Sequence, residues 1–165
     1  MFIAIISDIH NNLDNLKKCL FWCSDNKVEK IICCGDVADL NTMTYLAQNF
    51  SGEIFVVEGN AETYREADLG IFPNINYCGE IGVTDFEGVN IGFCHEPEKI
   101  NDLSEAAPAP LDFIFHGHTH KPWLENKNGS IIANPGTLAG QEHQATFATL
   151  ETKTKKLELK ILNDL

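Results

Sequence analysis

Three short apolar runs, each followed by a polar turn, occupy the first third of the chain and constrain its fold most strongly. The runs are Phe2–Ile6, Ile31–Cys34 and Ile54–Val57. Helical spacing of apolar residues follows the first run, up to about Asn26, and a second helix is predicted over 41–50. Successive strand, loop and helix units favour a parallel sheet with right-handed crossovers. Ligands of such sheets bind in the crevice beyond the carboxyl ends of the strands.

The second half of the chain shows short strands separated by turns. The predicted strands are Asn76–Asp85, Val89–Cys94, Phe113–Phe115, Ile131–Ala133, Thr146–Leu150 and Lys156–Ile161. Hairpin connections are predicted at 85–88 and 125–129, which makes this half mainly antiparallel. Residues 96–110 are acidic and rich in proline, and this composition predicts a long connection or a short helix followed by a rigid loop.

Length and composition indicate a single globular domain over residues 1–165. The chain is 44% hydrophobic, 22% charged and 9% aromatic, which excludes disordered, collagen-like and coiled-coil proteins. No apolar run approaches the roughly 20 residues that cross a bilayer, and Met1–Ile6 lacks the features of a secretory signal. We therefore expect a cytoplasmic protein without membrane contact. The six cysteines lie mostly in apolar runs and form no C-x-x-C pair, so we expect them to be free.

The balance of charge is strongly acidic, with a net charge of -12 and Arg65 as the sole arginine. No cluster of basic residues is available to neutralise phosphates, so binding to duplex nucleic acid is not expected. A small phosphate-containing ligand remains compatible with this charge, because bound metal cations can supply positive charge locally.

Residues of metal-binding type follow the predicted strands in chain order. Asp8 and His10 follow the first strand, and in extended chain residues two apart point the same way. The full set is Asp8, His10, Asp36, Asn60, His95, His118 and His120. Any single histidine is more often structural than metal-binding, but this joint pattern is too large for one ion. It suits two ions that share a bridging carboxylate.

These residues stand in motifs that resemble the five blocks of the calcineurin-like metallophosphoesterases. The motifs are Asp8-Ile9-His10, Gly35-Asp36-x-x-Asp39, Gly59-Asn60, His95 and Gly117-His118-Thr119-His120, and the resemblance spans residues 1–137. The turn Asn134-Pro135-Gly136-Thr137 is similar to that of the small, single-domain bacterial and archaeal phosphodiesterases. The resemblance implies an α/β fold, namely a four-layer α/β/β/α sandwich in which two packed mixed sheets are flanked by helices.

The resemblance also implies a division of ligands. Asp8, His10 and His120 would hold one divalent ion, Asn60, His95 and His118 would hold the second, and Asp36 would bridge both. Manganese is the expected ion, with iron, nickel and zinc as alternatives. The implied enzyme is a phosphodiesterase that cleaves small phosphodiesters by attack of a metal-bridging hydroxide held by Asp36.

The sequence departs from the family pattern at two places. Ala61 stands where many relatives carry a histidine credited with leaving-group protonation, and Glu62 follows it. Glu62 either supports the site, as Asn60 would, or favourably charges a helix N-terminus. His95 is followed by Glu96 instead of the common glycine, and we predict that residues 96–110 form a wall beside the site that restricts substrates.

Two alternatives to a phosphodiesterase remain open at this stage. One is a phosphomonoesterase, and the other is a non-catalytic protein-binding scaffold like the retromer subunit of the same fold. All seven ligand positions are present, which counts against the scaffold. Relatives often self-associate, so a homo-oligomer is also open.

Overall fold

The computed structural model describes residues 1–165, which form eleven strands and four α-helices. The strands are β1 Phe2–Ile6, β2 Lys30–Cys33, β3 Glu53–Val56, β4 Ile75–Tyr77, β5 Ile81–Phe86, β6 Val89–Cys94, β7 Phe113–Phe115, β8 Trp123–Lys127, β9 Ser130–Asn134, β10 Thr146–Glu151 and β11 Lys156–Ile161. The helices are α1 Leu13–Asp25, α2 Leu40–Asn49, α3 Glu66–Leu69 and α4 Ile100–Ala106, with 3-10 turns at Pro97–Lys99 and Leu162–Asp164.

Two mixed sheets stack between outer layers of helix, as the predicted α/β/β/α sandwich requires. The first sheet has the order β11-β10-β1-β2-β3-β4 and the second β5-β6-β7-β9-β8. Ile3 and Ile5 on β1 pack with Phe93 and Phe115 between the two sheets. The other face of β1 packs against α1, and for this reason the run Phe2–Ile6 is apolar without alternation.

The first half of the chain agrees with the predicted units. β1, β2 and β3 are parallel neighbours. Asn12 caps α1 by accepting a hydrogen bond from Asn15 N, and Asp39 caps α2 by accepting one from Thr42 N. The carboxyl ends of all three strands therefore open at one edge of the sheet.

The prediction of a single strand over Asn76–Asp85 is wrong. The chain instead leaves the first sheet after β4 and enters the second at β5, and Gly79, at a φ of 70°, lies in the crossing. Both strands have similar apolar content, so the local pattern gives no sign that they belong to different sheets.

Two further predictions about the second half need correction. The stretch 125–129 is mostly strand β8, and its connection to β9 is the turn at Asn128 and Gly129. All five side chains of β8 are exposed, which removes the alternation that would have predicted it. The half is also less antiparallel than expected, because β6, β7 and β9 run parallel to one another.

The predicted helix within residues 96–110 is present as the Pro97–Lys99 turn and α4. Leu103 on α4 packs on Ile114 and Ile132, against the outer face of the second sheet. This packing places the segment next to the carboxyl ends of β6 and β7. None of the helices combines the length and the apolar composition that a membrane-spanning helix needs.

Candidate metal centre

The carboxyl ends of β1, β2, β3, β6 and β7 meet at one edge of the two-sheet stack and bring all seven predicted ligands together. One group contains Asp8, His10 and His120. His120 Nε2 lies 3.3 Å from Asp8 Oδ1 and 3.1 Å from His10 Nε2. His10 Nε2 is 3.8 Å from the same Asp8 oxygen. These three donor atoms lie close enough together to contact one ion.

A second group contains Asn60, His95 and His118. Asn60 Oδ1 lies 2.9 Å from His95 Nε2 and 2.8 Å from His118 Nδ1. The two imidazole nitrogens are 3.3 Å apart. An amide oxygen and two nitrogens therefore converge beside the first group.

Asp36 lies between the two groups and contacts both. Its Oδ2 is 3.6 Å from His10 Nε2 and 3.3 Å from His95 Nε2, while Oδ1 accepts a hydrogen bond from Ala61 N at 2.8 Å. Burial acts to raise the pKa of Asp36, but the contacts with His95 and Ala61 outweigh it and lower the pKa below its ordinary value. Asp36 is thus held as an anion at the centre of the cluster.

Two observations indicate that these residues can hold a divalent metal ion. Asp8 Oδ1 is fully buried and has no hydrogen-bond partner, an arrangement that is costly for a carboxylate unless a cation contacts it. Burial also raises the pKa of Asp8 above its ordinary value, because the charged carboxylate loses its contact with water. Carboxylate, amide and imidazole donors together suit ions such as manganese, iron, nickel and zinc.

A contact outside the ligand groups orients His95. Its Nδ1 lies 2.7 Å from the backbone oxygen of Cys34. Because a carbonyl only accepts, Nδ1 carries a proton and donates it to Cys34, which leaves Nε2 as the ring nitrogen that faces Asn60 and Asp36. Such second contacts fix the tautomer of metal-binding histidines.

The ligand loops hold an unusual backbone conformation. Five of the seven predicted ligands have positive φ, although none of them is glycine: Asp8 at 54°, His10 at 42°, Asp36 at 56°, His118 at 68° and His120 at 57°. This conformation costs roughly 1–2 kcal/mol per residue for an L-amino acid. Strain concentrated in this way is typical of functional sites.

Two glycines leave the space that the loops need to approach one another. A Cβ on Gly59 would lie 2.9 Å from Asp36 Cγ and closer still to Asp36 Oδ1 and N. A Cβ on Gly117 would lie 2.8 Å from Asp8 Oδ2 and closer still to Ser7 Oγ. Any side chain at either position would displace a predicted carboxylate ligand.

Glu62 joins the loop after β2 to the loop after β3. Its carboxylate accepts hydrogen bonds from the backbone N–H groups of Val37 at 3.3 Å, Ala38 at 3.4 Å and Gly59 at 3.3 Å, and from Tyr64 Oη at 3.2 Å. Burial raises its pKa above the ordinary value. Glu62 lies outside every helix, so the interpretation as a helix-terminal charge is wrong.

Sequence reasoning missed the role of Asn134. Its Nδ2 donates to Gly117 O at 2.8 Å and to Thr119 Oγ1 at 3.0 Å, so it fixes the loop that carries His118 and His120. The turn that begins at Asn134 was visible in the sequence, but its contact with this loop depends on the pairing of β7 with β9.

Three residues near the site have no place in the donor groups. Ala61 contributes its backbone N–H to Asp36 and offers no side-chain proton. His116 is buried with Nδ1 3.1 Å from Gly117 O, and burial lowers its pKa. Asp39 caps α2.

Two clefts flank the cluster, and the turn at Pro97–Lys99 contributes to both. The first, of about 260 Å³, is lined by Asn60 and His95 together with Glu96 and Lys99. The second, of about 410 Å³, is lined by Thr119 together with Pro97 and other residues. The segment 96–110 therefore lies beside the site as predicted, while its effect on substrates remains a prediction. A larger cavity of about 700 Å³ lies between α1, α2 and the C-terminus, and none of the predicted ligands lines it.

Comparison with known proteins gives a consistent result. The model of the calcineurin-like phosphoesterase superfamily domain matches residues 1–155. The phosphodiesterase MJ0936 of Methanocaldococcus jannaschii is 29% identical over 162 residues, which cover 94% of this chain and 96% of the relative.

Solved structures show the same fold. An archaeal phosphodiesterase superposes with a TM-score of 0.85 at 23% identity, over 98% of this chain and 99% of the other. Vps29 of Entamoeba histolytica, in a complex with zinc, superposes with a TM-score of 0.71 at 18% identity, over 96% and 90% of the two chains.

Proposed function

The chain belongs to the calcineurin-like phosphoesterase superfamily, a family of metal-dependent hydrolases, and on this premise we propose that it hydrolyses small phosphodiesters with two divalent ions. The observation that carries the proposal is the position of Asp36. A single buried carboxylate oxygen lies within 3.6 Å of a donor nitrogen in each of two ligand groups.

Each ion has its own ligands in this proposal. Asp8, His10 and His120 hold one ion, Asn60, His95 and His118 hold the other, and Asp36 contacts both. Manganese is the expected ion, with iron, nickel and zinc as alternatives. When bound, the ions supply positive charge for the phosphoryl oxygens and lower the pKa of a water molecule.

The protein's own groups hold the ligands in place for this chemistry. Ala61 N–H and Glu62 fix the loops that carry Asp36 and Asn60. Cys34 O fixes the tautomer of His95. Because Ala61 cannot donate a proton, we expect fast turnover for esters whose leaving group departs without protonation and slow turnover for esters of simple alcohols.

Charge at the site favours diesters over monoesters. The cleft beside Asn60 and His95 is lined by Glu58, Glu80 and Glu96, and its one cation, Lys99, is paired with Glu80 at 3.0 Å. A monoester carries up to two negative charges and a diester one, so the carboxylates that line this cleft repel the monoester more strongly. The activity named for the archaeal relative supports the same choice.

The test is hydrolysis of bis-p-nitrophenyl phosphate against p-nitrophenyl phosphate, with protein stripped of metal and then titrated with manganese. We expect metal-dependent turnover that favours the diester. Asp36→Asn should lower turnover by about 100-fold or more, because a ligand of both ions loses its charge. Asp39→Asn is the matched control, since asparagine caps a helix as well as aspartate and Asp39 belongs to neither ligand group.

Absence of turnover of both esters, in protein that binds two manganese ions per chain, would contradict the proposal and favour a scaffold. In that case Asp36→Asn would weaken metal binding and leave partner binding intact. A preference for the monoester would favour a phosphomonoesterase.

We propose a small phosphate ester as the substrate, without binding to duplex nucleic acid. A cytoplasmic location agrees with six free cysteines, five of them buried.

A further inference from the structure

A single lysine, Lys99, lines the cleft that contains two of the predicted metal ligands. The cleft of about 260 Å³ is lined by Asn60 and His95 as well as by Lys99. It is smaller than the roughly 300–1,000 Å³ of sites for drug-sized ligands, so a phosphate group on the side of Asn60 and His95 lies close to its other walls. The one lysine of this cleft therefore lies beside the position of the proposed substrate.

The strand pairing places the Lys99 ammonium next to His95. The first residue of β5 pairs with the last residue of β6 in an antiparallel ladder. Glu80 directly precedes β5 and His95 directly follows β6, so these two residues are neighbours at the end of the ladder. Lys99 Nζ lies 3.0 Å from Glu80 Oε2. The ammonium is thus held by a residue adjacent to a predicted metal ligand.

The backbone of Lys99 is fixed, whereas its side chain is free to change partner. Lys99 N donates a hydrogen bond to Glu96 O at 3.1 Å, and the next residue, Ile100, packs against the second sheet. The ion pair with Glu80 is open to solvent, because 31% of the Lys99 side chain and 70% of the Glu80 side chain are exposed. Exposed pairs of this kind contribute little, so breaking this one lowers the affinity for a new anion by at most about fivefold.

The chemistry of the lysine side chain suits a phosphate. Ala61 offers the site only its backbone N–H, which Asp36 already accepts. A lysine ammonium carries three hydrogen-bond donors and binds phosphate as a point charge. The hydrogen bond with Glu80 raises the pKa of Lys99 above its ordinary value. The side chain therefore serves as a cation and not as a source of protons.

We infer that Lys99 exchanges Glu80 for the phosphoryl group of the substrate and is a substrate-binding residue of the metal centre. The inference rests on the proposed function and adds to it a contact that none of the metal-ligand motifs contains. Lys99 donates hydrogen bonds to a phosphoryl oxygen, and Glu80 competes with the substrate for the same ammonium. Glu80 therefore weakens the binding of phosphate.

The test is a double-variant cycle on the binding of inorganic phosphate to manganese-loaded protein, measured by isothermal titration calorimetry. Lys99→Gln should lower the affinity about fivefold or more, because a hydrogen bond between two charged groups is lost. Glu80→Gln should raise the affinity about two- to fivefold, since Lys99 no longer has to leave an ion pair. In the double variant this gain should disappear, because the ammonium that Glu80 withholds is absent.

Lys127→Gln is the matched control, because it removes the same charge from a lysine that is exposed on β8 and lines neither cleft. It should leave the phosphate affinity unchanged. An equal loss in the two lysine variants would overturn the inference, since it would show a general effect of charge. An equal gain from Glu80→Gln with and without Lys99 would also overturn it, because the carboxylate would then act by direct repulsion.

Phosphate binding does not require turnover, which separates this inference from the proposed function. A protein that hydrolyses bis-p-nitrophenyl phosphate but binds phosphate equally with and without Lys99 overturns the role of Lys99 alone. A protein without turnover of either ester, whose phosphate binding depends on Lys99, supports this contact and overturns the hydrolytic function. Failure of phosphate to bind in the presence of manganese overturns the inference, while ester hydrolysis still decides the function.

Discussion

Replacement of Gly59 by alanine should displace the predicted bridging carboxylate. The new Cβ would lie 2.9 Å from Asp36 Cγ and closer still to Asp36 Oδ1 and N. The carboxylate can rotate, but the backbone nitrogen cannot, so one of the two loops has to move. The movement opens the hydrogen bond from Ala61 N to Asp36 Oδ1, which measures 2.8 Å.

Two contributions set the size of the effect. Overpacking of a close contact costs typically 1–3 kcal/mol, and a clash with backbone lies at the upper end of this range. Loss of a hydrogen bond to a charged acceptor adds about 1.5–3 kcal/mol. We therefore expect Gly59→Ala to lower the free energy of unfolding by about 4–6 kcal/mol. For a chain of this size that corresponds to a fall in Tm of about 8–24 °C.

The assay is thermal denaturation of metal-free protein, followed by calorimetric titration with manganese. Gly70→Ala is the control, because a Cβ there would meet only Ala67 O at 3.8 Å and the φ of Gly70 is -61°. The control should be unchanged or stabilised by about 0.4–1 kcal/mol. The reasoning is refuted if Gly59→Ala melts like the control and binds manganese with unchanged affinity.

Variants at three other positions test what stabilises the fold. Glu62→Ala leaves three backbone N–H groups without their acceptor and should cost about 2–4 kcal/mol in urea denaturation, whereas Glu62→Gln keeps one acceptor oxygen and should cost less. Phe93→Ala empties a fully buried position between the sheets and should cost about 3–5 kcal/mol in the same assay. The Lys155 ammonium holds the pKa of Asp112 below its ordinary value of 3.8, so this pair stabilises the protein fully above that pH and loses its effect as the pH falls through the lowered pKa. The Tm of Asp112→Asn should therefore depend less on pH than that of the unmodified protein between about pH 2 and 4.

The resemblance to calcineurin-like phosphoesterases was readable from the sequence and is confirmed by the family match over residues 1–155. The motif residues are informative because each stands where an apolar strand ends, and strand ends are predictable when both faces are buried. β1 was predicted over its exact observed bounds, Phe2–Ile6, for this reason.

The elements that the sequence did not predict lack a local signal. β8 exposes all five of its side chains, so its residues show no alternation. β4 and β5 lie only three residues apart in the sequence, although Gly79 carries the chain from one sheet to the other between them. Sheet membership depends on which distant strand supplies the hydrogen bonds, and local propensity does not report this.

The sequence by itself determined which residue types follow each strand, and hence the candidate ligands and the family. Only the tertiary structure decided how these residues meet. The register of β1, β2 and β3 sets Asp36 between two donor groups, and packing of the loops holds Asp8, His10 and Asp36 at positive φ. Glu62 and Asn134 acquire their roles from backbone groups far from them in the chain. These contacts are long-range, and the free energy that fixes them comes from the packing of two sheets rather than from the preference of any single residue.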